Sequence, residues 1–195
     1  MEILKSLEPV PFYYIRHGES EGNVLKLCQG QLNYPLTAVG KAQARLAADR
    51  LRGCKIQSLY FSPLKRAAET ALIIAELLQI ETLIPMEELK ERSWGVLEGK
   101  SNQPMFAQEE TERGVNYDDS NDTTFESKSK FCLRIYSAMD QILKDSESPV
   151  AIVGHGRFFN MLCDLMQTEP IRQIANASPV LCWPAISGVW TIDEV

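Results

Sequence analysis

Residues 12–23 are the most informative part of the chain and read Phe12-Tyr13-Tyr14-Ile15-Arg16-His17-Gly18-Glu19-Ser20-Glu21-Gly22-Asn23. The segment begins with aromatic and β-branched residues without charge, which is typical of a strand buried on both faces. It then ends on Arg16, His17 and Gly18, and Gly18 permits a sharp turn and a close approach to a ligand. Ligands of open α/β sheets bind beyond the carboxyl ends of the strands. The segment therefore predicts either a phosphate-binding strand end with His17 as nucleophile, or a strand that simply reaches solvent.

The overall composition is that of an ordinary soluble globular protein. The chain has 195 residues, of which 45% are hydrophobic and 24% are charged, and its net charge is −6. This length suffices for one domain with a full core, and the acidic balance argues against a nucleic-acid partner. There is no basic start followed by an apolar run, and no apolar window long enough to cross a bilayer. We therefore expect a cytoplasmic protein that binds neither nucleic acid nor a membrane.

The cysteine and histidine content restricts the chemistry of any site. Five cysteines are scattered along the chain without a C-x-x-C pair: Cys28, Cys54, Cys132, Cys163 and Cys182. This pattern favours reduced thiols over a disulfide framework or a zinc site. The chain has only two histidines, which excludes a histidine-rich metal centre. We expect neither a metal ion nor another cofactor.

Strand and helix patterns alternate along the chain. Runs with few or no charges predict strands at 12–15, 56–61, 81–86, 150–153, 180–183 and 187–192. Helical spacing and cap residues, with Thr37 and Ser62 as N-caps, predict helices at 38–51, 63–78, 131–142 and 158–165. This alternation predicts an α/β fold, a three-layer α/β/α sandwich with a mostly parallel central sheet. We expect a single domain over 1–195, with the polar segment around 100–123 as a lid.

Both histidines follow strands that should be neighbours in the sheet. The run 150–153 leads into His155, just as the first strand leads into His17. A parallel sheet gathers its strand ends at one edge, so we expect Arg16, His17, Arg66 and His155 to converge there. Two guanidinium groups and a second imidazole around a nucleophilic imidazole would form an anion cage of phosphoryl size. Phosphoryl transfer chiefly needs such positioning and charge neutralisation.

Six motifs cover almost the whole chain. In order they are Arg16-His17-Gly18-Glu19-Ser20 with Asn23, Ser62-Pro63-Leu64-Lys65-Arg66-Ala67 with Thr70-Ala71, Leu89-Lys90-Glu91, Gly95-Val96-Leu97-Glu98-Gly99, Glu126-Ser127 with Arg134, and Gly154-His155-Gly156. In composition and order they resemble the motifs of the histidine phosphatase superfamily, whose fold is also called phosphoglycerate mutase-like. Because the motifs are many and correctly ordered, the resemblance is highly specific.

The resemblance implies a role for each motif residue. His17 would be the nucleophile that becomes phosphohistidine. Glu91 would be the general acid that protonates the leaving alcohol and later the base that activates water, although a solvated loop glutamate is the alternative. The phosphoryl oxygens would be bound by Arg16, Arg66, His155 and Asn23. Solvent exposure is expected for the other acidic residues of this loop, Glu87, Glu88 and Glu98.

The chain departs from the family pattern at three motif positions. Gly22 stands where family members often have tryptophan, Gly154 where they often have serine, and Arg157 where they often have a second glycine. These differences leave the phosphoryl cage intact and alter the rim of the pocket, where substrates are selected. Arg157 is either an additional anion contact or a surface arginine.

The favoured function is that of a metal-independent phosphomonoesterase of the histidine acid phosphatase type. It would act through a phosphohistidine on a small phosphorylated metabolite, as a monomer or homodimer. The first alternative is cofactor-dependent phosphoglycerate mutase-type transfer, but the lid carries Lys100 and Arg113 against six acidic residues, which would repel a bisphosphate. The second alternative is a non-catalytic phospho-ligand binding module, against which the complete cage argues.

Overall fold

The computed structural model describes residues 6–102, 125–146, 149–168, 174–185 and 189–195. Within these residues the strands are β1 (Phe12–Arg16), β2 (Ser58–Phe61), β3 (Thr82–Pro85), β4 (Val150–Gly154), β5 (Pro179–Pro184) and β6 (Trp190–Glu194). They form one sheet in the order β3-β2-β4-β1-β5-β6. The first four of these pair in parallel, whereas β5 is antiparallel to both β1 and β6. The sheet is mixed and mostly parallel, as the sequence predicts.

Helices cover both faces of this sheet. The α-helices of the described residues are α1 (Glu21–Val24), α2 (Ala38–Arg50), α3 (Lys65–Leu78), α4 (Lys128–Asp145) and α5 (Gly156–Met166). One buried cluster joins α2 and α3 to the sheet, and a second joins α4 and α5 to its opposite face. Two short 3-10 helices, Glu87–Leu89 and Gly95–Leu97, lie in the loop after β3. The three-layer prediction is therefore confirmed.

The alternation of side chains along β1 and β4 explains why these strands are central. Tyr14 and Ile152 belong to the α4–α5 cluster, whereas Ile15 and Val153 belong to the α2–α3 cluster. All four are fully buried, so each strand is apolar on both faces, as strands inside a parallel sheet must be. The parallel register pairs residue 16 with residue 154. His17 and His155, which directly follow these two residues, consequently lie next to each other at the end of the sheet.

The start of α3 differs from the prediction. The helix begins at Lys65 rather than after Ser62, and the residue in the N-cap position, Leu64, makes no side-chain capping bond. The backbone N–H of Lys65 instead donates to Oδ1 of Asn33, 2.9 Å away. The capping oxygen comes from a distant loop, which leaves the hydroxyl of Ser62 available to the site described below.

Several predicted boundaries shift by a few residues. The second strand begins at Ser58, and the last strand spans Trp190–Glu194 rather than 187–192. Most of the predicted lid, residues 103–123, lies outside the described residues, as do residues 186–188. The five cysteines, all of which lie in the described ranges, form no disulfide with one another.

Candidate active site

A cavity of about 320 Å³ lies where β1 and β4 end. Its wall includes five residues predicted from the motifs, Arg16, His17, Asn23, Arg66 and Glu91. The sixth predicted residue, His155, is fully buried beside the wall, and its ring centroid lies 5.3 Å from that of His17. The fold therefore gathers all six residues at one edge of the sheet.

His17 directly follows β1, and its side chain is almost completely buried. Its Nδ1 lies 2.7 Å from the carbonyl oxygen of Gly18, and its Nε2 lies 3.2 Å from Nε of Arg66. A guanidinium nitrogen only donates, so Nε2 holds the lone pair and Nδ1 carries the proton. Burial, followed by the charges of Arg66 and Arg16, holds the pKa of His17 well below its ordinary value. The imidazole is consequently neutral at pH 7, with Nε2 as its nucleophilic atom.

Arg66 lies in the first turn of α3 and is fully buried. Besides its bond to His17, its Nη1 donates to the carbonyl oxygen of Leu32 and its Nη2 to that of Gly30, both at 2.8 Å. Burial lowers the pKa of Arg66 to about 10, so the guanidinium remains charged at pH 7. As predicted, this arginine lies at the strand ends rather than in solvent.

Arg16 is the last residue of β1. Its Nη1 donates to the carbonyl oxygen of Ile174 at 2.9 Å, whereas its Nε is buried and has no hydrogen-bond partner among the described residues. Buried N–H groups are nearly always paired, so an unpaired one at a cavity wall is suited to a ligand atom. A Cβ atom at position 156 would lie 3.5 Å from this Nε. The glycine at that position therefore leaves the approach to Arg16 open.

His155 precedes α5 and is held by two neighbours. The hydroxyl of Tyr14 donates to its carbonyl oxygen at 2.9 Å and accepts from its backbone N–H at 2.8 Å. Its Nε2 lies 2.8 Å from the hydroxyl of Ser62, and its Nδ1 is buried and finds no partner within the described ranges. Burial and then the charge of Arg66 hold the pKa of His155 well below its ordinary value. A second neutral imidazole thus lies beside His17 with one ring nitrogen unused.

Asn23 combines a helix-capping bond with a place in the cavity wall. Its Oδ1 accepts hydrogen bonds from the backbone N–H and hydroxyl of Ser20, at 3.0 and 2.9 Å, in a capping box at α1. Its amide nitrogen is therefore the group left for a ligand. The neighbouring Gly22 is covered by Gln29, which would lie 2.6 Å from a Cβ atom at position 22. Gln29 thus occupies space beside this family-divergent glycine.

Glu91 is 9% exposed and lies against the N-terminus of α5. Its Oε1 accepts hydrogen bonds from the backbone N–H groups of Arg92 and Phe158, at 3.0 and 3.1 Å. Its Oε2 accepts one from the backbone N–H of Arg157 at 3.1 Å. Oε2 consequently has more unused capacity than Oε1 to hold or take a proton. Glu91 is not a solvated loop residue.

The prediction for Glu98 is wrong, whereas Glu87 and Glu88 are exposed as expected. Glu98 is half-buried, and its Oε1 accepts hydrogen bonds from the backbone N–H groups of Gln31 and Trp94, at 3.1 and 3.0 Å. These donors come from two loops that fold back on each other, so the carboxylate joins the loops. Local charge density in the sequence carries no information about such a contact.

The sequence motifs miss several polar residues of the cavity wall. Side-chain amides are contributed by Asn160, Asn102 and Gln29. Arg157, for which the motifs left an anion contact and a surface position open, lies half-buried in the same wall. The Oδ1 atom of Asn160 is buried, and no described residue donates a hydrogen bond to it. Its spacing of four residues from Gly156 on α5 is the only sequence signal that would have placed it on the same helix face.

Neither a metal-ligand cluster nor a membrane-spanning helix is found among the described residues. Across residues 6–102 and the other described ranges, no group of three or more histidine, cysteine, aspartate or glutamate side chains is arranged to hold a metal ion. In the same part of the chain, no helix has the length and apolar character needed to span a membrane.

Comparisons with known proteins give the family. The model of the histidine phosphatase superfamily (branch 1) matches residues 12–182. A Proteus mirabilis protein named probable phosphoglycerate mutase GpmB is 35% identical over 148 residues, which are 74% of this chain and 68% of that protein. The uncharacterized phosphatase PhoE of Bacillus subtilis is 32% identical over 149 residues, which are 76% and 72% of the two chains. The solved structure of Bacillus stearothermophilus YhfR has the same fold, with a TM-score of 0.79, 24% identity and coverage of 94% and 95%. The chain belongs to the histidine phosphatase superfamily.

Proposed function

We propose that the protein is a metal-independent phosphomonoesterase that acts through a phosphohistidine on His17. The observation that carries the proposal is the state of this imidazole: it is neutral, its Nδ1 proton is committed to Gly18, and its Nε2 faces the charged Arg66. A phosphoryl group entering the cavity offers Arg66 a stronger, charged acceptor than a ring nitrogen. Transfer of the guanidinium donor to a phosphoryl oxygen then frees the Nε2 lone pair for attack.

In the first step, Nε2 of His17 attacks the phosphorus atom and the ester P–O bond breaks. Glu91 protonates the departing oxygen from Oε2, so an alcohol rather than an alkoxide leaves. In the second step, Glu91 accepts a proton from water, and the resulting nucleophile breaks the N–P bond. Inorganic phosphate and the neutral imidazole of His17 are regenerated.

The remaining cage residues neutralise the phosphoryl oxygens. Arg16 offers its unpaired Nε, and Arg66 offers the donor that it gives to His17 in the free protein. The hydroxyl of Ser62 accepts from the backbone N–H of Leu64, at 3.3 Å, and we assign its own proton to the hydrogen bond with Nε2 of His155. Nδ1 of His155 then carries the ring proton and donates it to a phosphoryl oxygen. Two guanidinium groups supply the positive charge that Mg²⁺ supplies in other phosphoryl-transfer sites.

A mutase is the second candidate, because the GpmB relative carries that name. A mutase returns the phosphoryl group from histidine to a second hydroxyl instead of to water. The segment 103–123 contains six acidic residues and one arginine. Such a balance disfavours retention of a doubly phosphorylated intermediate, so hydrolysis is the preferred outcome.

Phosphate release from a panel of phosphomonoesters, with and without a chelator, tests the proposal. The panel contains sugar phosphates, phosphoglycerates and nucleoside monophosphates. We expect release that survives chelation, disappears in His17→Ala, and proceeds through an acid-labile phosphoryl adduct on His17. Loss of activity on chelation would contradict the metal-free mechanism. Isomerisation of phosphoglycerate without phosphate release would establish the mutase, and binding of esters without turnover would establish a non-catalytic module.

A further inference from the structure

Glu126, Ser127 and Arg134 form a motif that the proposed chemistry leaves without a role. Glu126 and Ser127 lie just before α4, and Arg134 lies in its second turn. None of the three belongs to the cavity wall. Their contacts are directed to the loop that carries Glu91.

The guanidinium of Arg134 binds three backbone carbonyl groups of that loop. Its Nη1 donates to the carbonyl oxygens of Glu88 and Lys90, at 2.6 and 2.8 Å, and its Nη2 to that of Glu91, at 3.4 Å. A planar group with five donors can hold several acceptors in one fixed arrangement, which lysine cannot do. Arg134 consequently fixes the main chain immediately before and at the carboxylate-bearing residue.

Glu126 in turn fixes Arg134. The carboxylate receives Nε of the arginine on Oε1 at 2.8 Å and Nη2 on Oε2 at 2.7 Å, which is the bidentate geometry of a strong ion pair. The two side chains are only 20% and 15% exposed, so solvent screens the pair less than an exposed one. Oε2 of Glu126 also accepts the backbone N–H of Ser93 at 3.2 Å. Ser127 caps α4 through the N–H of Lys130, which fixes the helix turn from which the arginine extends.

The loop also has anchors that do not involve Arg134. The guanidinium of Arg92 lies between the rings of Trp94 and Phe125, 4.7 and 4.8 Å from their centroids. Gln31 donates to the carbonyl oxygen of Glu91 at 3.1 Å. Removal of Arg134 should therefore displace the backbone of Glu91 rather than unfold the loop.

We propose that Arg134, held by Glu126, is a positioning residue for proton transfer by Glu91. The proposal rests on the function proposed above, in which Glu91 is the general acid. The backbone N–H groups at the N-terminus of α5 hold the carboxylate of Glu91 in place. Arg134 of α4 holds its main chain, so two helices together fix the position of Glu91. Proton transfer is sensitive to misplacement on the order of 1 Å, and loss of three carbonyl contacts leaves the main chain at Glu91 less constrained.

Dependence of kcat/KM on the leaving group tests the proposal. Glycerol phosphate has a poor leaving group that needs the proton of Glu91, whereas p-nitrophenyl phosphate has a good one that does not. In Arg134→Met we expect kcat/KM for glycerol phosphate to fall about 10- to 100-fold and that for p-nitrophenyl phosphate by less than about threefold. Arg134→Lys should recover part of the loss, because it keeps the positive charge. Recovery should be incomplete, because lysine lacks the planar guanidinium that binds several carbonyl groups at once.

Two reference variants make each outcome decisive. Glu91→Gln should show the same leaving-group dependence more strongly, and Ile142→Ala, in the buried face of α4, should lower stability without any such dependence. Leaving-group dependence in Glu91→Gln but not in Arg134→Met would overturn the positioning role and leave the proposed function standing. An equal loss for both esters in Arg134→Met, matched by Ile142→Ala, would assign the arginine to stability alone. A Glu91→Gln variant without leaving-group dependence would overturn the acid role, and the positioning role with it.

Amide hydrogen exchange gives a readout that is independent of turnover. The backbone N–H groups of Arg157 and Phe158 are protected by the carboxylate of Glu91. We expect faster exchange at these two amides in Arg134→Met than in the parent protein, with Ile142→Ala as the control for general loosening. Unchanged exchange would overturn the proposal whichever esters are hydrolysed.

Discussion

Asn160 shows how a single residue can be unfavourable for folding and useful for binding. Its Oδ1 lies in the cavity wall, buried and without a partner in the described part of the chain. A buried acceptor without a hydrogen bond costs about 1–3 kcal/mol. A hydroxyl or amide group of the substrate would remove that cost by donating to Oδ1, so the free energy lost in the free protein is recovered on binding.

Replacement of Asn160 by leucine, which has nearly the same shape, tests this exchange. In Asn160→Leu we expect the free energy of unfolding to rise by about 1 kcal/mol, because the unsatisfied acceptor is gone. Catalytic efficiency should fall about tenfold with esters whose leaving group carries hydroxyl groups and remain unchanged with p-nitrophenyl phosphate. Denaturant unfolding and steady-state kinetics measure the two effects, and a less stable protein with unchanged kinetics would refute the argument.

Between elements, the contact of Tyr14 on β1 with Gly154 on β4 explains a departure from the family pattern. A Cβ atom at position 154 would lie 2.3 Å from the hydroxyl oxygen of Tyr14. That hydroxyl is needed where it is, because it binds both backbone groups of His155. The tyrosine therefore fills the space that the family's serine side chain would take.

A double-mutant cycle across the two strands checks this compensation. Tyr14→Phe should cost about 1–3 kcal/mol of unfolding free energy, because two buried backbone groups lose their partner. Gly154→Ser should cost a similar amount or more through the clash. In the double variant the serine enters the vacated space, so we expect the two costs to be less than additive by on the order of 1 kcal/mol. Additive costs, measured by denaturant unfolding, would show that the two positions are independent.

For the whole molecule, sequence reasoning succeeds where the signal is local and repeated. The central strands are continuous apolar runs, and the strand-end histidines are adjacent once β1 and β4 are known to be neighbours. It fails where one side chain reaches another loop, as with Asn33 at the start of α3 and Glu98 between two loops. Asn160 likewise belongs to no motif. What distinguishes it is that its buried Oδ1 accepts no hydrogen bond from the described residues, and a sequence pattern cannot show this. The spacing of residues along the chain does not predict such contacts.

The two neutral histidines make the stability of the whole molecule depend on pH. Burial and the neighbouring arginines hold the pKa of His17 and His155 well below the ordinary value of about 6.5. In the unfolded chain both side chains bind a proton below about pH 6.5, whereas in the folded protein they stay neutral until a much lower pH. The unfolded state therefore binds more protons in that window, and the free energy of unfolding falls as the pH is lowered.

We expect this loss to begin near pH 6.5 and to approach about 1.4 kcal/mol per pH unit for each histidine at lower pH. Denaturant unfolding between pH 7.5 and 5 measures it, and the double variant His17→Gln/His155→Gln serves as the reference. Carboxylates titrate in both proteins, so the difference between the two curves isolates the histidines. Below pH 6.5 the free energy of unfolding of the parent protein should fall steadily relative to that of the double variant, because only the parent protein has to exclude these two protons. Parallel curves would mean that the folded cage accepts protons as readily as the unfolded chain, and Nε2 of His17 would then not be a free nucleophile at mildly acidic pH.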